Sequence, residues 1–106
     1  MSTVLEVGQT DFDEKALAEG LVVVDFSAKW CRPCQRMQPE LEATANEFSG
    51  RATFITVDVD ESPEVAMRYG VQGVPNLTIL RNGQVIDTII GAMPRAAIAA
   101  RVSRHL

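Results

Sequence analysis

Cysteine is scarce in this sequence. Its 106 residues include two, and histidine occurs once, at His105. A fold held by disulfides needs more than one cross-link, and a zinc or iron–sulfur centre needs about four ligands. A disulfide scaffold and a single-chain metal site are therefore not expected, and His105 reads as a surface residue at a helix end. No apolar run approaches the roughly 20 residues that cross a bilayer, so no transmembrane helix is expected. The first twenty residues carry Glu6, Asp11, Asp13 and Glu14 without an apolar segment, so no secretory signal is expected either. Positive charge is also in deficit, with ten Lys and Arg against fourteen Asp and Glu and a net charge of −4. That balance lacks the electrostatic footprint of a general nucleic-acid binder. The arginines are dispersed and read as solvated surface, with Arg32 the one exception.

What is present is an ordinary core-forming composition, 46% hydrophobic and 23% charged, enough for one domain over residues 1–106. Residues 3–7 read as a short strand, followed by a helix near 11–18 capped by Thr10 and stopped by Gly20. Leu21 to Phe26 is almost continuously apolar, the pattern of a strand buried on both faces. A long helix is predicted from Cys31 to Phe48, with Met37, Leu41, Ala45 and Phe48 on one face and Pro39 kinking it. Residues 52–59 read as a strand, and Ser62-Pro63-Glu64 as the start of a helix that Gly70 ends. Strands at 76–80 and 84–90 are joined by Arg81-Asn82-Gly83, a hairpin signal. A last helix from Pro94 is expected to bury Ile98, Val102 and Leu106. The order β-α-β-α-β-α-β-β-α predicts an α/β fold with a mixed sheet of about five strands flanked by about four helices.

The chemistry concentrates where the buried strand hands over to the long helix. Cys31-Arg32-Pro33-Cys34 closes too small a loop to staple a fold, so a bond there is reactive rather than structural. At a helix N-terminus, free backbone N–H groups and the helix dipole stabilise a thiolate, which is the attacking species. Cys34 lies on the same helical face within disulfide reach, and Pro33 fits the first turn, where its missing N–H costs nothing. Asp25 interrupts the buried strand, where desolvation raises a carboxyl pKa. It reads either as a loop cap or ion-pair partner, or as a proton acceptor for the thiols. Gly73-Val74-Pro75-Asn76 marks a sharp turn into a strand.

Trp30-Cys31-Arg32-Pro33-Cys34 resembles the thioredoxin family motif, and the likeness extends from about residue 3 to 106. Val23-Val24-Asp25-Phe26-Ser27-Ala28, Pro39, Val57-Asp58-Val59-Asp60, Tyr69 through Pro75, Arg81-Asn82-Gly83 and Gly91-Ala92 follow in the family's order. The resemblance implies a thioredoxin fold and a cytoplasmic protein-disulfide reductase. It implies that Cys31 attacks, that Cys34 resolves with help from Asp25, and that Pro75 is cis and sits against the cysteines. It further implies that Val74 pairs with an extended substrate, and that Trp30, Arg32, Pro33, Gly73, Gly91 and Ala92 surround an exposed Cys31 sulfur. The implied partners are disulfide-bearing proteins and a flavin- or ferredoxin-linked thioredoxin reductase, with no cofactor beyond the dithiol and a monomeric state. The sequence departs from the family pattern at Arg32, where glycine is usual, at Ser27 and Asn76, and at Thr56, where a lysine often stands near the aspartate. Two alternatives use the same residues: a thiol oxidant or isomerase, and a binding module without turnover.

Overall fold

A computed structural model describes residues 3–106. The chain runs β1 (Val4–Glu6), α1 (Phe12–Ala16), β2 (Leu21–Ser27), α2 (Arg32–Glu47), β3 (Thr53–Asp58), α3 (Pro63–Arg68), β4 (Asn76–Arg81), β5 (Gln84–Ile90) and α4 (Arg95–Arg104). The sheet order is β1-β3-β2-β4-β5. Strands β1, β3 and β2 are mutually parallel, β4 runs antiparallel to β2, and β5 antiparallel to β4. This is the mixed α/β architecture that the element order predicts.

Strand β2 is central and its first six residues are buried, as its run of valines demands. Side chains alternate across a strand. Leu21 and Val23 therefore join Met37, Leu41, Ala45 and Phe48 of the α2 region and Ile98 and Val102 of α4 in one core. Val22, Val24 and Phe26 meet Phe12 and Ala16 of α1 and Val65 of α3 in the other. Asp25 has the parity of Leu21 and Val23, which directs it toward the α2 face of the sheet. The site depends on that geometric fact.

Local signals are mostly borne out. The β4–β5 turn holds Asn82 at φ 50° and Gly83 at φ 82°, the paired left-handed residues of a hairpin turn. Asn82 Oδ1 accepts the Gly20 N–H at 2.8 Å, which ties this turn to the end of the α1 segment. Four expectations need correction. Helix α1 spans Phe12–Ala16 with Asp11, not Thr10, at its N-cap, and Asp11 instead accepts the Gly8 N–H at 2.8 Å. Leu106 is 52% exposed because α4 stops at Arg104, before the apolar stripe reaches it. His105 is half-buried rather than a free helix-end residue, with Nε2 2.9 Å from Asp87 Oδ2. Arg101 also leaves the class of solvated arginines, binding the same carboxylate through two nitrogens at 2.8 and 2.9 Å. The Arg101 bond, and behind it the His105 bond, hold the Asp87 carboxyl well below the usual range.

Candidate active site

At the end of β2 the chain turns through Ala28, Lys29 and Trp30, and the Cys31 N–H donates to the Ala28 carbonyl at 3.1 Å. Cys31 is the N-cap of α2 and has extended backbone angles. Its Sγ accepts the Cys34 N–H at 3.2 Å, and its carbonyl accepts the Gln35 N–H at 3.1 Å. Sulfur here occupies the place that a Ser or Asp oxygen takes in an ordinary N-cap. The same N–H would strengthen its bond to a thiolate, since charge-assisted hydrogen bonds are the stronger class. A disulfide joins Cys31 to Cys34, whose Cα atoms are 5.3 Å apart. Pro33 sits in the first turn, and the helix continues through Pro39.

Both sulfur residues are buried, Cys31 at 3% exposure, and Ala28, Val59 and Val74 pack around them. The expectation of an exposed Cys31 is corrected for this oxidised state: its sulfur turns inward onto Cys34. Beside it lies a hollow of about 80 Å³ bounded by Trp30, Val59, Val71, Gln72, Gly73 and Val74. Trp30 is 68% exposed, yet its Nε1 donates to Asp60 Oδ2 at 2.7 Å, which fixes the indole. The Val74–Pro75 peptide is cis, and Pro75 is buried. The Pro75 carbonyl accepts the Gly91 N–H at 2.9 Å, joining the proline loop to the turn before α4. Trp30, Gly73 and Val74 thus share one hollow, and Gly91 is tied to the proline that follows Val74. Ala92 is exposed beyond Gly91, and Arg32 is exposed as the first residue of α2.

Asp25 is 2% exposed, so it is neither a loop cap nor an ion-pair partner among the described residues. Thr56 stands directly across the parallel β2–β3 pairing from it. The Thr56 hydroxyl lies 3.2 Å from Asp25 Oδ2 and 3.2 Å from the Asp25 carbonyl oxygen, and donates its single proton to one at a time. Among the described residues Asp25 Oδ1 has no hydrogen-bond partner. Burial pushes the Asp25 pKa up to about 6, and the Thr56 bond offsets part of the rise. Thr56 also lines an open cavity of about 310 Å³ with Cys34, Ser27, Gln38, Asp58 and Glu6. The cavity connects the inner cysteine and the aspartate's hydrogen-bond partner to solvent.

Sequence reading marked Thr56 as a departure but missed it as the partner of Asp25. The parity of β3 puts Thr56 on the same face as Phe54, but the register that sets it opposite Asp25 is not local information. Asp60, which holds Trp30, was missed for the same reason. Among the described residues no group of three or more Cys, His, Asp and Glu is placed to hold a metal ion.

A family model described as Thioredoxin matches residues 3–104. A thioredoxin of Staphylococcus epidermidis is 36% identical over 103 residues, covering 97% of this chain and 98% of the relative. A thioredoxin of Staphylococcus aureus is 37% identical over 103 residues with the same coverage.

Proposed function

The chain belongs to the thioredoxin family and is a thiol–disulfide oxidoreductase, and we propose that it reduces protein disulfides through Cys31, Cys34 and Asp25. The observation that carries this reading is the disulfide itself, placed at the N-cap of α2 with an N–H aimed at Cys31 Sγ. In the reduced protein the Cys31 thiolate attacks one sulfur of a substrate disulfide. The substrate S–S bond breaks, a mixed disulfide forms, and the departing substrate thiolate takes up a proton. Cys34 then transfers its proton to the Asp25 carboxylate, and its sulfur attacks Cys31 Sγ. That second exchange releases the other substrate thiolate, which takes up the proton held by Asp25, and forms the Cys31–Cys34 bond. Two electrons pass from the dithiol to the substrate, and the first substrate thiolate takes its proton from solvent, matching the proton Cys31 lost on ionising.

A pKa of about 6 suits Asp25 to the task, since at neutral pH it is mostly ionised yet holds a proton more readily than a solvated carboxylate. The hollow beside Trp30, with Gly73 and Val74 on its far side, accepts the substrate segment, and the Val74 backbone pairs with it as an added strand. Pro33, Pro75, Gly91 and Ala92 complete the contact surface. The family implies a thioredoxin reductase as the electron source, and we assign a flavin- or ferredoxin-linked enzyme to that role. The working unit is a cytoplasmic monomer, a single domain that needs no cofactor beyond its dithiol.

Reduction of insulin tests the reading: the reduced protein should cleave its interchain disulfides much faster than dithiothreitol at equal concentration. Cys34→Ser should trap mixed disulfides through Cys31. A stable adduct at Cys34 in the Cys31→Ser protein, with none at Cys31 in its counterpart, would reverse the two roles.

A further inference from the structure

Most cations of this acidic chain are engaged. Lys29 pairs with Glu61 at 3.1 Å, Arg95 with Glu47 at 3.6 Å, Arg101 with Asp87 at 2.8 Å, and Arg68 with Asp13. Arg51 and Arg81 donate to the carbonyls of Glu47 and His105. Lys15, Arg32, Arg36 and Arg104 are exposed and have no side-chain hydrogen bond or ion pair among the described residues, and of these Arg32 and Arg36 begin the helix that carries the cysteines. These two arginines are four residues apart in the first turns of α2, which places them on one face, beginning one residue after the reactive Cys31. Two unpaired guanidiniums therefore stand on the first turns of the helix that holds the disulfide, on a molecule whose net charge is −4.

Three acids near the cysteines are held by other groups, and Glu40, one turn after Arg36 on α2, forms no ion pair with it among the described residues. Asp60 accepts from Trp30, Glu61 is paired with Lys29, and Asp58 accepts the backbone N–H groups of Asp60 and Glu61 at 2.8 and 3.1 Å. Resting on the reductase reading above, we infer that Arg32 and Arg36 select the substrate class: protein disulfides flanked by Asp and Glu. An acidic segment repels an incoming thiolate, so such disulfides react slowly with a simple thiol. Two arginines beside the thiolate offset that repulsion, and their planar donors match carboxylates. Because both side chains are solvated, they act mainly on the encounter rate, through a field that salt screens beyond about 8–10 Å.

The test uses two synthetic cyclic peptides, each closed by one internal disulfide, flanked in one by Asp and Glu and in the other by Lys. Each reduction rate is divided by the rate with dithiothreitol, which removes intrinsic reactivity. The wild-type protein should favour the acidic peptide by about threefold to tenfold at low salt. The ratio should fall toward one in 0.5 M NaCl (a test condition at which the screening length is on the order of 4 Å) and in Arg32→Gln/Arg36→Gln. A ratio near one at low salt, a preference for the basic peptide, or a preference that persists in the double variant overturns the inference. Reduction of neither peptide, nor of insulin, by the wild-type protein overturns the reductase reading instead.

Discussion

A single carboxyl group sets much of this site's pH behaviour. Asp25 has its pKa raised by burial from the ordinary value of about 4 to about 6. The unfolded chain releases that proton before the folded one does, so stability falls as pH rises from about 4 through about 6. Above that window the full penalty of a buried carboxylate is present; below it both states are protonated and the penalty vanishes. At about 1.4 kcal/mol per pH unit, Asp25→Asn should stabilise the protein by about 1–3 kcal/mol at pH 7.5 and by little at pH 4. Urea melts at the two pH values measure this difference. The same variant should slow release of the mixed disulfide by up to about 100-fold, the lower end of what a positioned proton acceptor contributes. Thr56 supplies a second handle. Its hydroxyl holds the Asp25 pKa down, so Thr56→Val should raise it above about 6 and move the pH profile of the resolving step upward, whereas Thr56→Ser should leave both in place. A carboxyl-detected NMR titration distinguishes these outcomes. The burial of Asp25 was legible from the apolar run around it, and the proposal that it accepts a proton rests on the nearby cysteines. Its dependence on Thr56 was not, because that contact comes from strand register.

Elements were legible where a local rule governs them. Helix α2 announced itself through the spacing of Met37, Leu41 and Ala45, and the β4–β5 hairpin through Asn82-Gly83. That turn makes a sharp prediction. Gly83 has φ +82°, which only glycine adopts without strain, and a Cβ there would make only ordinary contact with Leu17 at 3.6 Å, so the cost is conformational. Gly83→Ala should destabilise the fold by about 1–2 kcal/mol while leaving the disulfide chemistry unchanged, as thermal melts and insulin reduction would show. Ends and cross-element contacts were the illegible part. The stripe Ile98, Val102, Leu106 continues on paper, but α4 stops after Arg104 and the His105 ring goes to Asp87 on β5. Periodicity states which face of a helix is apolar. It does not state where fraying ends the helix, nor which strand a polar side chain will find.

For the molecule as a whole, the order β1-β3-β2-β4-β5 places the aspartate's strand at the centre, paired on both edges. The continuous apolar run of β2 made its burial on both faces legible, whereas which helix covers each face had to be seen in three dimensions. A strand bonded on both sides and covered on both faces has no local route to opening. The backbone amides of Val22 to Phe26 should therefore exchange with deuterium only when the entire fold opens, with protection equal to the free energy of global unfolding. Amides of the edge strands β1 and β5 should exchange sooner, and mass spectrometry of peptides from the labelled protein reads the contrast. Asp25 then carries two hydrogens on very different clocks. Its amide hydrogen should stay for the lifetime of the folded state, while its carboxyl group, in the proposed mechanism, takes up and gives back a proton in every catalytic cycle. On that mechanism the proton moves without any loosening of the strand, and Thr56, the hydrogen-bond partner of Asp25, borders the cavity that Cys34 also lines. Rigid backbone and labile proton thus meet in one residue, and variants that stiffen the sheet further should leave the turnover rate unchanged.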